Sequence, residues 1–515
     1  MTSSPRRREP ESCHDELKRK HFKGVLERSC LDVFDSFLEF WPYLAVSLDV
    51  VVAALASGHA VLHKRDTRAA IAWVGLIWLA PVVGSGLYIW LGINRIQRRA
   101  RSLRWDRPRL EALPSLCQCS AELVDQALGA DGSHLKSLVH MVGSLTGRPL
   151  LHGNRVTPLL NGDQAFPAML QAIDSASHSI TLSTYIFDND RAGKSFLDAL
   201  QRAVVRGVAV RVLIDDVGAR YSWPTMPRLL RRAGIPCANF QPTSIPWRFR
   251  FTNLRTHRKI MVVDGRIGFT GGLNIREGNC LSWQASYPVQ DLHFRVSGPV
   301  VNQLQEVFAD DWAFCTDELL TGEKWFAEIE PDGPILARGL PDDPAENFES
   351  FRLTLLGAIA SARSSILVMT PYFLPDAALI TSLNVAAMRG VAVEIVLPHQ
   401  NNLVYVQWAS TALLWQVLER GCRVWLSPPP FDHSKVLLVD GVAAFVGSAN
   451  WDPRSLRLNF EFNLECYDRE LATVLTNMVR TKLQHAQPVS LADVDGRSLP
   501  VRLRDGIARL CSPYL

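Results

Sequence analysis

The sequence predicts an α/β protein built from two similar halves, set behind an N-terminal pair of apolar helices. Three observations carry this reading. Two long apolar runs lie within the first hundred of the 515 residues. Beyond about residue 150, short β-branched runs alternate with helical stretches, the pattern of βαβ units in an α/β sheet. One set of chemically active residues then occurs twice at identical spacing. A hydrophobic share of 47% against 21% charged residues describes a chain that buries a core. The formal charge of +4 is small for this length and gives no reason to expect nucleic acid as partner. The ten cysteines lack the density of a disulfide scaffold. Cys117 and Cys119 form a Cys-x-Cys pair with no second pair at zinc-site spacing, so free thiols in a reducing compartment are expected.

The first apolar run, residues 41–62, holds one acid, Asp49, and the second, residues 69–91, holds no charged side chain. A helix needs about 20 apolar residues to cross a bilayer core, and both runs suffice. Trp41, Tyr43, Tyr88 and Trp90 lie near their ends, where aromatic rings favour the lipid–water boundary. About forty residues of mixed charge precede the first run, unlike a secretory signal peptide. The expectation is therefore a tail over 1–40 and a transmembrane hairpin over 41–93, with Asp49 facing the second helix or the interface and given no role. Nine Lys and Arg flank the pair, from Lys23 to Arg109, against Lys64, Arg65 and Arg68 between the runs. That bias places both termini and all that follows in the cytoplasm. Residues 94–150 read as a basic linker whose arginines would attract an anionic leaflet.

In the first half, 180–187 reads as a strand, 195–206 as a helix and 208–214 as a strand. In the second, 366–373, 377–389 and 391–397 repeat that order. The helix-to-strand junction is spelled alike, Arg206-Gly207-Val208-Ala209-Val210 against Arg389-Gly390-Val391-Ala392-Val393, with glycine where a helix end favours a left-handed residue. Residues 327–345, rich in Pro, Gly and Asp, suit a linker between halves at 151–326 and 346–515.

The chemistry lies in the later part of each half. His257, Lys259, Asp264, Gly271 and Asn274 match His433, Lys435, Asp440, Gly447 and Asn450 position for position. One such match at a given histidine has odds on the order of one in 10⁵. Asp264-Gly265 and Asp440-Gly441 are hairpin turns between apolar strands. Residues two apart on a strand share a face, so each histidine points with its lysine, and the returning strand brings its asparagine alongside. Imidazole, ammonium and amide together suit phosphodiester transfer. A histidine can attack phosphorus or protonate a leaving oxygen, while Lys and Asn hold the non-bridging oxygens. Two facing halves would supply both histidines to one phosphate, without a metal or other cofactor. Ser448 adds a hydroxyl expected to bind the substrate phosphate in the second half, where the first has Gly272.

At these residues the chain resembles the phospholipase D superfamily, marked by a duplicated His-x-Lys-x₄-Asp motif, over roughly residues 150–485. Within it the chain is similar to bacterial cardiolipin synthases. Tyr185-Ile186-Phe187, Arg255-Thr256-His257-Arg258-Lys259, Gly271-Gly272-Leu273-Asn274 and Arg454-Ser455-Leu456 carry that likeness, together with the N-terminal apolar pair. The resemblance implies two phospholipase D-like domains related by a pseudo-twofold axis, and a phosphatidyltransferase of the bacterial inner membrane. One histidine would become phosphatidylated by a first phosphatidylglycerol, with loss of glycerol. The other would then activate a hydroxyl of a second phosphatidylglycerol, giving cardiolipin. By the same likeness His257 is the nucleophile and His433 the acid/base, Asp291 and Glu461 orient the imidazoles, and Asp264 and Asp440 brace the hairpins. Hydrolysis, with water as acceptor, is the alternative. A nucleic-acid phosphodiesterase fits the apolar pair poorly, and a non-catalytic scaffold does not fit the intact motifs. Residues 247–251, alternating aromatic and arginine, read equally as a headgroup contact or a half-buried strand. His293, His178 and His399 read as structural or surface residues, and Trp408 and Trp415 as core.

Overall fold

The computed structural model describes residues 40–64, 67–92, 117–242, 254–344 and 347–512. The N-terminal tail, the arginines from Arg95 to Arg109 and the 247–251 segment lie outside the described residues. Contacts divide the chain into two compact units, Met1–Arg95 and Ile96–Leu515.

In the first unit, the 24-residue helix Phe40–His63, with a mean hydropathy of 1.8, is long and apolar enough to cross a membrane. The second apolar run is not the single helix expected over 69–91. It forms Thr67–Leu79, then Pro81–Leu87, then a π-helical turn Tyr88–Gly92. Pro81 has no N–H to give the preceding turn, and the ladder breaks there. Ala53, Ala56 and Ala60 of the first helix pack with Ile77 and Tyr88, small residues at helical spacing that let backbones approach. The Tyr88 hydroxyl lies 2.8 Å from His59 Nδ1.

The second unit is organised on one fifteen-stranded sheet. Each half contains a parallel βαβ unit whose helix-to-strand loop is set by one of the paired glycines, Gly207 at φ +87° and Gly390 at φ +91°. Strand Ser179–Thr184, helix Arg191–Val205 and strand Ala209–Asp215 recur as Ser365–Met369, Ala377–Met388 and Ala392–Pro398. Beside each opening strand runs the motif hairpin, Ile260–Val263 with Ile267–Gly271 and Val436–Val439 with Ala443–Gly447. Asp264-Gly265 and Asp440-Gly441 both take positive φ, 51° and 63° against 52° and 64°, the turn that matches strand twist.

The halves share one sheet, and the expected linker is irregular up to Pro334. Strand Leu151–Leu160 pairs antiparallel with Ile335–Asp342, so the sheet runs unbroken through the centre. Ile335–Asp342 lies in the stretch expected to be a linker. Its Pro, Gly and Asp disguise a strand buried along its whole length, whose Arg338 pairs with Glu465 at 2.9 Å. The expected basic linker is likewise structured beyond residue 116. Helices Ala121–Gly132 and Lys136–Thr146, with the turn Ser133–Leu135 between them, bury Leu128, Leu135, Leu138 and Val142 in one core with Leu355, Ile359 and Val439. A second core layer draws on both halves, combining Val262, Phe294 and Leu304 with Val446, Leu464 and Leu475. Burial on this scale, about 1.5–3 kcal/mol for each large apolar side chain, holds the two motifs in fixed register.

Candidate active site

Each motif histidine stands just before its strand, and a backbone bond fixes where. The His257 N–H donates to the Phe460 carbonyl, and the His433 N–H to the Gln290 carbonyl, both at 2.8 Å. Phe460 and Gln290 immediately precede Glu461 and Asp291. Each histidine is thus stitched to the other half, next to an acid of that half. The side chains repeat the crossing. His257 Nδ1 lies 3.0 Å from Glu461 Oε2, and His433 Nδ1 lies 2.8 Å from Asp291 Oδ2. The two imidazoles come together, ring centroids 6.2 Å apart at 85°. Strand alternation turns Arg258 away from His257 and Lys259. It is buried and grips Asp311 with two bonds of 2.6 and 2.7 Å, which anchors the motif strand to helix Val300–Thr316.

A carboxylate only accepts, so each acid calls for an Nδ1–H and leaves the lone pair on Nε2. Burial disfavours the Glu461 carboxylate, but His257, Lys259 and Ser448 outweigh it and hold its pKa below the usual value. Burial pushes Asp291 up to about 6 against the pull of Lys435. Burial also lowers the His257 pKa, opposed by Glu461 and reinforced by Lys259. His433 falls well below its ordinary value through burial, then Lys435, Lys259 and His257 itself. Lys259 drops to about 7 and Lys435 to about 8, chiefly by burial. At neutral pH both imidazoles are therefore neutral, and both lysines sit near the edge of losing their charge.

A cavity of about 330 Å³ opens over the rings, lined by His257, His433, Asn274 and Asn450. The Asn274 Oδ1 accepts from the Ile186 N–H at 3.2 Å, which leaves its amide hydrogens as donors. Lys259 and Lys435 lie behind the rings, each donating to the carbonyl of its own motif histidine. Ser448 is fully buried and donates to Glu461 at 2.6 Å, so its hydroxyl is committed to the acid and does not border the cavity. Gly272, its counterpart, is empty for a reason. A Cβ there would stand 2.1 Å from Asp291 Oδ1, because the shorter acid draws closer to the backbone. Asp264 and Asp440 sit at the far ends of the hairpins. Asp264 accepts the N–H groups of Ser177, His178 and Ser179, and Asp440 those of Arg363, Ser364 and Ser365. Asp440 is also 2.6 Å from His134. His293 is buried, its pKa lowered by burial to about 4, and does not line the cavity.

Sequence reasoning missed part of the lining. Tyr185 and Tyr372 follow strands Ser179–Thr184 and Ser365–Met369, one position out of register with each other, their rings 5.4 Å from His257 and 6.0 Å from His433. Arg255, Arg276 and Arg454 add positive charge at the cavity. Their place just after the strand that flanks each motif hairpin was the available signal.

Residues 169–312 and 355–482 match the family model described as cardiolipin synthase, PLD-like domain. Cardiolipin synthase A of Pseudomonas putida strain GB-1 is 34% identical over 485 residues, 92% of this chain and 98% of that protein. Cardiolipin synthase 1 of Bacillus anthracis is 31% identical over 494 residues, 93% of this chain and 95% of that protein. The crystal structure of phosphatidylserine synthase from Haemophilus influenzae Rd KW20 superposes with a TM-score of 0.56 at 16% identity, over 74% of this chain and 100% of that one, which shows a shared fold. A duplicated motif on a shared sheet, matched along nearly its whole length by such relatives, means that the chain belongs to the bacterial cardiolipin synthase family of the phospholipase D superfamily.

Proposed function

We propose that the protein is a cardiolipin synthase, a phosphatidyltransferase that joins two phosphatidylglycerols and releases glycerol. The observation that carries this reading is the pair of imidazoles 6.2 Å apart, each held through Nδ1 by a carboxylate of the opposite half. That spacing is about twice the ~3 Å of a near-attack contact, room for one phosphorus between them. His257 Nε2 attacks phosphorus of the first lipid, the bond to the glycerol oxygen breaks, and His433, which takes up a proton on Nε2 as the anionic phosphodiester binds, gives that proton to the departing oxygen. His433 then takes the proton from a hydroxyl of the second lipid, whose oxygen attacks phosphorus and breaks the P–N bond. The ionised Glu461 beside His257 supports it as nucleophile, and the stronger acidity of His433 suits a proton donor. Asn274 and Asn450 bind the non-bridging oxygens, and Lys259 and Lys435 supply positive charge from behind the rings. In this reading Ser448 acts through Glu461, and Asp264 and Asp440 fix the hairpins.

The chain is read as a tail to about residue 40, an apolar anchor over 41–93 that crosses the inner membrane twice, and two phospholipase D-like domains facing the cytoplasm. The names of the relatives and the long apolar helix Phe40–His63 support a membrane enzyme acting on phospholipid. Purified protein given phosphatidylglycerol vesicles tests the function by product mass. Cardiolipin with glycerol supports transfer, phosphatidic acid alone means hydrolysis, and no turnover contradicts both.

Two further results are expected. As pH rises, kcat/KM falls through the range of about 7 to 8, where Lys259 and Lys435 lose their charge in the free enzyme. A bound phosphodiester stabilises the ammonium forms, so the fall in kcat comes at higher pH; pH–rate profiles separate the two. Gly272→Ser forces Asp291 off the His433 ring and lowers turnover by about 10–100-fold. Ser448→Gly removes one bond to Glu461 and costs less, as steady-state rates of the two folded variants will compare.

A further inference from the structure

The C-terminal helix Leu499–Leu510 is built inside out. Its one acid, Asp505, is 1% exposed and bonded to Arg497 and Arg504, while Leu499, Leu503, Ile507 and Leu510 are 77, 63, 55 and 74% exposed. Those four recur at helical spacing and form one apolar stripe facing outward. A helix on a water-facing surface would be expected the other way round, and such a stripe marks a surface that something covers.

Position and charge identify what covers it. The helix packs along Val404–Thr411, with the Arg504 guanidinium 4.3 Å over the Trp408 ring. That second helix and the residue before it reach the catalytic cavity, which Leu403 and Val406 line. Leu403, Val404 and Tyr405 are themselves exposed, and across the cavity Tyr221 and Trp223 of the first half are exposed as well. Exposed apolar residues thus occur both at the cavity mouth and on the helix packed against Val404–Thr411. With Asp505 turned inward and paired with Arg497 and Arg504, the helix keeps two further cations beside the stripe, the exposed Arg502 and the half-buried Arg509. Apolar stripe, flanking arginines and aromatic rim are the features of a helix lying in the interface of an anionic bilayer.

We propose that Leu499–Leu510 is a lipid-docking helix that lays the cavity mouth on an anionic membrane surface, so that lipid headgroups enter without crossing water. This rests on the lipid-transfer reading of the site and adds the surface through which substrate arrives. The test compares full-length wild type with Leu503→Glu/Ile507→Glu, reconstituted in vesicles of phosphatidylglycerol and phosphatidylcholine. Each is also assayed on monomeric short-chain phosphatidylglycerol below its micelle threshold. The expected result is a loss of about tenfold or more in turnover of vesicle lipid, with turnover of the monomeric lipid within about twofold. Equal loss on both lipids, or no loss on either, overturns the proposal. So does a change from dimer to monomer on substitution, which would make a second copy the occupant. Amide exchange across 499–510, compared between those vesicles and vesicles of phosphatidylcholine alone, reads docking without turnover. Wild type that makes no cardiolipin yet gains protection there on phosphatidylglycerol would contradict the catalytic reading and leave docking standing.

Discussion

Replacing either His257 or His433 with alanine is expected to lower cardiolipin formation by at least about 10³-fold, with the double variant little worse than either single one. The reason is that neither half holds a complete site. His257 takes its orienting carboxylate from Glu461 and meets the His433 ring across the cavity. Removing the nucleophile leaves no group to accept the phosphatidyl unit. Removing the acid/base leaves the glycerol oxygen to depart unprotonated. Single-turnover assays divide these roles. The His433→Ala enzyme still forms an adduct slowly, and the His257→Ala enzyme forms none. Two active sites working independently would instead leave each single variant with about half its rate.

The second large effect is expected from the crossed acids. Glu461→Gln and Asp291→Asn keep shape and volume but let the amide face Nδ1 with either its oxygen or its NH₂ group. The imidazole then loses its fixed tautomer, a change that costs about 10²–10⁴-fold where a carboxylate orients a catalytic histidine. The partner affected is the distant one. Nitrogen NMR of labelled imidazoles should show Asp291→Asn disturbing His433 and sparing His257, and Glu461→Gln doing the reverse. Disturbance of the histidine in the same half would contradict the crossed pairing.

Much of the fold was legible because local chemistry specified it. The repeated Arg-Gly-Val-Ala-Val junction marked two βαβ units, and each Asp-Gly pair marked a hairpin turn whose φ values agree to within a degree. The match in spacing singled out both histidines. Long-range partners were less legible. Asp291 follows His257 in sequence, yet the seam of Leu151–Leu160 on Ile335–Asp342 makes one sheet of the two halves and delivers Asp291 to His433. Nothing in local pattern states which way such a crossing goes. The seam strand itself was hidden by composition, since Gly339, Pro341 and a buried Arg338 resemble loop residues until Glu465 is seen to pair the arginine. Ser448 read as a phosphate ligand from its place in the motif. Its hydroxyl points instead at Glu461, a distinction of side-chain direction that spacing does not encode. Length and hydropathy suggested one unbroken helix over 69–91, and Pro81, which has no N–H to donate, breaks it.

In the proposed mechanism two imidazoles from different halves act on a single phosphorus, and a crystal structure of the enzyme soaked with vanadate tests this most directly. One vanadate is expected in the cavity, bonded to Nε2 of His257, with His433 on its opposite side and Asn274 and Asn450 on its equatorial oxygens. Two vanadates, one on each histidine with no shared oxygen, would contradict it.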